Sequence, residues 1–72
     1  MTQDLHTVAN KVALAVEIEE ARVVELLAMA EQAAGSQVAD HLRTMAGERQ
    51  ARGLELQSCL AGLIAAINEA PR

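Results

Sequence analysis

The sequence predicts an all-α fold in which two long helices form an antiparallel hairpin. No Gly or Pro interrupts residues 5–34, where apolar side chains recur at alternating spacings of three and four. Gly35 suits the left-handed end of a helix, and Ser36 suits the N-cap of the next one. We therefore expect helices of roughly 30 residues at about 4–34 and 37–69, joined by a tight turn.

The first helix has its capping residue before Leu5. Either Thr2 or Asp4 can accept a hydrogen bond from the free amides of the first turn. The apolar stripe that we expect to face the second helix consists of Leu5, Val8, Val12, Ala15, Leu26, Met29 and Ala33.

The second helix begins after Ser36, with Asp40 near the positive end of the helix dipole. Asn68 and Pro71 mark its end. Its inward stripe is interrupted by charge and consists of Val38, Leu42, Met45, Arg49, Arg52, Leu56, Cys59, Leu63 and Ala66. The whole chain, residues 1–72, is expected to be one domain.

A short turn makes the helices antiparallel neighbours, so the numbers of facing residues should sum to about 71. This register places Arg22 opposite Arg49 and Glu19 opposite Arg52. The charged residues then meet at mid-hairpin, and we predict a buried charged layer of Glu19, Glu20, Arg22, Arg49 and Arg52. Such a layer either fixes the register or holds a small anion.

A second apolar stripe adjoins the first and would stay in water in a lone hairpin. It consists of Ala9, Ala13, Val16, Glu20, Val23, Leu27, Ala30 and Ala34. We expect a second copy to cover it, giving a homodimeric four-helix bundle. The predicted interface residues are Val16, Val23, Leu27, Leu60, Leu63, Ile64 and Ile67. The apolar segment Cys59–Ile67 is also a candidate docking surface for another protein.

The length, composition and charge of the chain argue against several classes of function. With 72 residues and no Phe, Tyr or Trp, the core is small and needs a partner. A net charge of −4 argues against binding nucleic acid or anionic membranes. The longest apolar run has nine residues, fewer than the roughly 20 that span a bilayer. The lone Cys59 and the lack of a signal-like N-terminus favour the cytoplasm.

One part of the chain carries a resemblance to a known family. Residues 17–60, EIEEARVVELLAMAEQAAGSQVADHLRTMAGERQARGLELQSCL, resemble one half of a ferritin-like or rubrerythrin-like bundle. In that family a Glu on one helix and a Glu-x-x-His motif on the next bind a di-iron or di-manganese centre. Short two-helix members build the whole site by dimerising.

The resemblance assigns the first-helix carboxylate to Glu20 or Glu19. The Glu and His of the motif fall on Arg49 and Arg52, and a one-residue shift gives Glu48 and Ala51, so the histidine is missing. A guanidinium has no lone pair for a metal. The resemblance thus implies a metal-free relative, and we expect no cofactor. Glu20, Glu48 and His41 are the remaining metal candidates.

Three functions from different classes are consistent with these observations. The first, which we favour, is a non-enzymatic homodimeric interaction or accessory module. The second is a ferritin-like protein that gathers iron or manganese ligands across the dimer. The third is a small RNA-binding hairpin dimer, which would need a basic face that the six Lys and Arg residues do not form.

Overall fold

The computed structural model describes residues 4–69, and these form two helices packed against each other as a hairpin. Helix α1 spans Leu5–Gln32 and helix α2 spans Gln37–Glu69. The predicted hairpin is confirmed, although α1 ends two residues earlier than expected. The hairpin measures 58 × 17 × 16 Å. The residues predicted to flank it, Thr2 and Pro71, lie outside the described range.

Asp4 is the N-cap of α1 and is one of the two residues that the sequence offered for this position. Its Oδ1 accepts a hydrogen bond of 2.8 Å from the backbone N–H of Thr7. This bond stabilises the charged carboxylate and lowers the pKa of Asp4 below its ordinary value of 3.8. The cap therefore depends on the ionised form of the side chain.

The turn between the helices has the chemistry that its two central residues predict. Gly35 has φ 88°, a left-handed conformation in which other residues are strained. The Ser36 hydroxyl accepts from the backbone N–H of Ala39 at 3.3 Å and donates to the carbonyl of Ala33 at 2.6 Å. Ser36 therefore ties the end of α1 to the start of α2.

The two helices meet along a seam whose members are all buried or half-buried. Their spacing alternates between three and four, as in an antiparallel coiled coil. On the side of α1 the seam consists of Ala9, Val12, Val16, Glu19, Val23, Leu26, Ala30 and the C-cap residue Ala33. On α2 it consists of Ala39, Leu42, Ala46, Arg49, Gly53, Leu56, Leu60, Leu63 and Ile67.

The seam corrects the predicted inward stripes. Val38, Met45 and Cys59 of α2 are exposed, as is Met29 of α1, and Ala39 and Ala46 are buried in the positions next to Val38 and Met45. The prediction rested on helical spacing, and that spacing fits the adjoining positions equally well. Small side chains occupy these seam positions because they let the two backbones approach closely.

Within residues 4–69, neither helix combines the length and the apolar character needed to cross a membrane.

Replacing a glycine by alanine should have opposite effects in the turn and in the helix. Gly35→Ala is expected to destabilise the fold by about 1–2 kcal/mol, because alanine is strained in a left-handed conformation. Gly62→Ala is expected to stabilise it by about 0.5–1 kcal/mol, since its new methyl group would meet no atom within 4 Å. Urea unfolding followed by circular dichroism at one protein concentration measures both, and shifts of the same sign would contradict the assignment.

The cap at Asp4 should make a pH-dependent contribution to stability. Because the folded-state pKa of Asp4 is lowered, its contribution is complete above the unfolded pKa and is lost as the pH falls through the folded pKa. The difference in Tm between the parent and Asp4→Ala should be constant from about pH 7 to about pH 5 and should shrink below about pH 4. A difference that did not change down to about pH 2.5 would show that the ionised carboxylate is not the cap.

Candidate functional site

Glu19 is the one charged residue that is buried among residues 4–69, with 8% of its surface exposed. It lies at mid-length on α1, in a seam position where an apolar side chain is normal. The facing residue on α2 is Gly53, and a Cβ built on Gly53 would lie 3.7 Å from the Cβ of Glu19. The lack of a side chain at Gly53 leaves room for the aliphatic part of Glu19 against the α2 backbone.

The charge of Glu19 is balanced across the seam by Arg49. The Nη1 of Arg49 donates to the Oε1 of Glu19 at 3.0 Å. The Arg49 side chain remains 42% exposed, so its guanidinium keeps contact with water while it neutralises the carboxylate. The second carboxylate oxygen, Oε2, is buried and has no hydrogen-bond partner among the described residues.

A groove of about 250 Å³ opens on the side of the hairpin next to this pair. Its lining residues are Glu19, Glu20, Val23, Arg49, Gln50, Gly53, Leu54 and Gln57. The amide of Gln57 donates to the Oε1 of Glu20 at 3.3 Å and so links the two helices at the surface. We call this side of the hairpin, with the groove and its lining residues, the groove face.

The other flank of the seam carries a smaller recess of about 160 Å³, lined by Met45, Glu48, Arg49 and Arg52. By helical spacing Val38 lies on the same flank, seven residues before Met45. We call the flank defined by Val38, Met45, Glu48 and Arg52 the arginine face. Arg49 borders both faces because it lies in the seam between them.

The predicted charged layer is smaller in the single hairpin than expected. Of its members only Glu19 is buried and only Arg49 is half-buried, whereas Glu20, Arg22 and Arg52 are exposed. The predicted contact between Glu19 and Arg52 does not form, and Glu19 bonds to Arg49 instead. The residue of α2 that faces Glu19 is Gly53, so its neighbour Arg52 lies on the arginine face.

The two exposed arginines of the predicted layer, Arg22 and Arg52, differ in their surroundings. Arg22 forms an ion pair of 3.2 Å with Glu25 one turn later on the same helix. Arg52 has no ion pair with any residue between 4 and 69. Both side chains are therefore solvated charges of the isolated hairpin and contribute little to holding its helices together.

The candidate metal ligands are not brought together by one hairpin. Glu20 lies on the groove face and Glu48 on the arginine face. His41 is exposed and lies two turns before Glu48 on the same helix. Among residues 4–69, no three His, Cys, Asp or Glu side chains are grouped so that they could hold a metal ion. The cation that contacts the buried carboxylate of Glu19 is the guanidinium of Arg49, which has no lone pair with which to bind a metal.

The predicted interface residues fall into two groups. Val16 is buried inside the hairpin, and four others are half-buried in the seam, namely Val23, Leu60, Leu63 and Ile67. Leu27 and Ile64 are exposed at 46% and 48%. By helical spacing these two lie on the groove face, since Leu27 follows Glu20 by seven residues and Ile64 follows Gln57 by seven.

Sequence reasoning missed three residues of the groove, Gln50, Leu54 and Gln57. The signal was present in the seven-residue spacing of small residues on α2. Counting the seam through Ala39, Ala46 and Gly53 puts these three side chains beside Glu20.

Comparison with known proteins adds no identification: no protein family, curated protein or solved structure matches the chain. The ferritin-like resemblance therefore stays a prediction.

Two arginine substitutions should separate the buried pair from the solvated charge. Arg49→Ala leaves a buried carboxylate without its donor, which costs about 1–3 kcal/mol of unfolding free energy. Arg52→Ala removes an exposed side chain, and its effect should lie within about 0.5 kcal/mol of zero. Urea unfolding of both variants at equal concentration measures the difference. Equal losses would show that the Glu19–Arg49 bond contributes nothing particular to the fold.

Proposed function

We propose that this chain is a non-enzymatic interaction module that works as a homodimer, with two hairpins packed through their groove faces into a four-helix bundle. The observation that carries the proposal is the mismatch between a small core and a large exposed apolar surface.

The core of the single hairpin is made of few and small residues. Among residues 4–69 the buried apolar side chains are Ala9, Val16, Ala30, Ala39, Leu42 and Ala46, and no large side chain is fully buried. Each alanine methyl contributes only about 0.8 kcal/mol of burial free energy. A core of this kind leaves a chain of 72 residues with little net stability.

Large apolar side chains lie outside that core. Those with at least 38% of their surface exposed are Leu5, Leu14, Ile18, Val24, Leu27, Met29, Val38, Met45, Leu54 and Ile64. Exposed apolar surface that continues over several helical turns is typical of a protein interface.

The solvent-accessible area of the hairpin is large enough to include an interface with a partner of similar size. The chain exposes 5582 Å², whereas a globular protein of its mass exposes roughly 4,300 Å². Its radius of gyration is 16.5 Å, against about 11 Å for a globular chain of this length. The excess area is above the roughly 800 Å² that each partner contributes to a standard interface. A second copy would supply an equal surface by symmetry.

The groove face suits this contact better than the arginine face. Its recess is the larger of the two, and Leu54 at its edge is 61% exposed. Leu27 and Ile64 extend the apolar surface along the hairpin. The arginine face would bury Arg52, which has no ion pair within residues 4–69, whereas the exposed carboxylate of the groove face, Glu20, accepts a hydrogen bond from Gln57.

The proposal also places the module in the cytoplasm. Its support is Cys59, which is exposed and unpaired within the described part of the chain, the state in which the cytoplasm keeps thiols.

A pair of matched substitutions tests the proposal. Leu54 and Val38 are exposed to a similar degree, 61% and 58%, but lie on different faces. Leu54→Glu should convert the dimer to a monomer, because it places a charge in the apolar contact beside Glu19 and Glu20. Val38→Glu should leave the dimer intact. Sedimentation equilibrium measures the mass of each, with circular dichroism to confirm that the helices persist.

The parent protein provides the first result. Its mass should be twice the 7.7 kDa of one chain at micromolar concentration. A parent that stays monomeric would overturn the proposed function. A dimer that Val38→Glu disrupts and Leu54→Glu spares would keep self-association but reject the groove face.

A further inference from the structure

We propose that the hairpin has a second contact with copies of itself, separate from the groove face: the outward side of α1 in one copy packs on the arginine face of another, with Glu17 paired to Arg52. The two surfaces that meet are different, so this contact joins molecules beyond a dimer, into a ring or a filament. It goes beyond the proposed homodimer and leaves the groove-face contact intact.

The first observation is an apolar stripe on the side of α1 that faces away from α2. Its central residues Leu14, Ala21 and Ala28 each lie two positions, or about half a helical turn, from seam residues on both sides. Ile18 and Val24 fill the gaps between them and are 52% and 68% exposed. We call these five exposed residues the outer stripe.

The outward side of α2 has no such stripe. Its residues in the equivalent positions are all small or polar, namely Thr44, Ala51, Ser58 and Ala65. Every large apolar residue that is exposed between 37 and 69 lies on the groove face or the arginine face. A helix that is apolar on opposite sides is typical of burial on both. The outer stripe is therefore a contact surface that the fold of one chain leaves uncovered.

The charges beside the outer stripe are mainly acidic. Glu17, Glu25 and Glu31 border it, and Lys11 is the one cation at its start. Glu25 is already paired with Arg22 at 3.2 Å, whereas Glu17 has no ion pair within residues 4–69. The surface that fits this stripe is apolar and carries a cation opposite Glu17.

The arginine face has that chemistry. Val38 and Met45 are 58% and 38% exposed there, beside the recess of about 160 Å³. Arg52 is the one arginine of residues 4–69 without an ion pair, although Glu48 lines the same recess. A carboxylate from another copy would offset the cost of removing Arg52 from water.

The spacing of the charged and apolar residues matches on the two surfaces. Glu17 precedes Val24 by seven residues on α1, and Met45 precedes Arg52 by seven on α2. Seven residues span about 10.5 Å of helix, so antiparallel packing of the two helices brings Glu17 to Arg52 and Val24 to Met45 together. The apolar contact supplies the attraction, and the ion pair selects the orientation.

The test is the weight-average mass of the full chain, measured by sedimentation equilibrium from about 10 μM to about 1 mM. The parent should grow beyond two chains of 7.7 kDa as the concentration rises. Ile18→Glu should weaken this growth about tenfold or more, because it puts a charge into the outer stripe. Ser58→Glu adds the same charge to the outward side of α2 and should leave the growth unchanged.

An exchange of charges tests the pairing of the two surfaces. Arg52→Glu should stop the growth, because it sets two carboxylates against each other. Glu17→Arg combined with Arg52→Glu swaps the charges and should restore the growth. Both residues are exposed in the single hairpin, so circular dichroism should show intact helices in each variant.

The outcomes separate this contact from the proposed function. A parent that remains a dimer up to about 1 mM overturns the second contact and leaves the homodimer standing. Growth that persists in Ile18→Glu, or that the exchanged charges fail to restore, also overturns it. A parent that is monomeric at micromolar concentration but grows above it, in a way that Ile18→Glu blocks, rejects the groove-face dimer and supports the second contact.

Discussion

The close approach of two helices along a seam of small residues is the constraint on which this structure depends. Ala30 and Ala39 are 1% exposed and Ala46 is 3% exposed, so the backbones meet where the side chains are shortest. Short side chains allow dense packing but remove little apolar surface from water. Leucines complete the seam at other positions, but several large apolar residues, Val38 and Met45 among them, remain exposed on the flanks. The same constraint therefore explains both the narrow hairpin and the apolar surface for which we propose a partner.

Glu19 occupies the point on this seam where α2 offers no side chain. Burial of a carboxylate is costly, and Arg49 offsets part of that cost while its own side chain stays partly hydrated. The pair also distinguishes one register of the hairpin from others. A slide of one heptad that set Glu19 against Leu60 in place of Gly53 would move the buried carboxylate to about three helical turns from Arg49.

The ferritin-like resemblance, which stays a prediction from the sequence, would give this pair a chemical context. In that family a metal ion balances inward carboxylates, and the position that the resemblance assigns to a metal-binding Glu carries Arg49 here. A guanidinium is a permanent cation and part of the chain, so it balances Glu19 without exchange or redox chemistry.

The sequence by itself determined the two helices and the turn at Gly35-Ser36, and it reduced the first cap to Thr2 or Asp4, because each depends on neighbours in the chain. It also indicated that Glu19 and Arg49 lie inside. Only the tertiary structure decided which of two adjoining apolar stripes is buried and that Arg49, not Arg52, meets Glu19. Local periodicity fits both stripes equally well. The choice depends on how closely the backbones pack, and Ala39, Ala46 and Gly53 permit an approach that Val38 and Met45 would prevent.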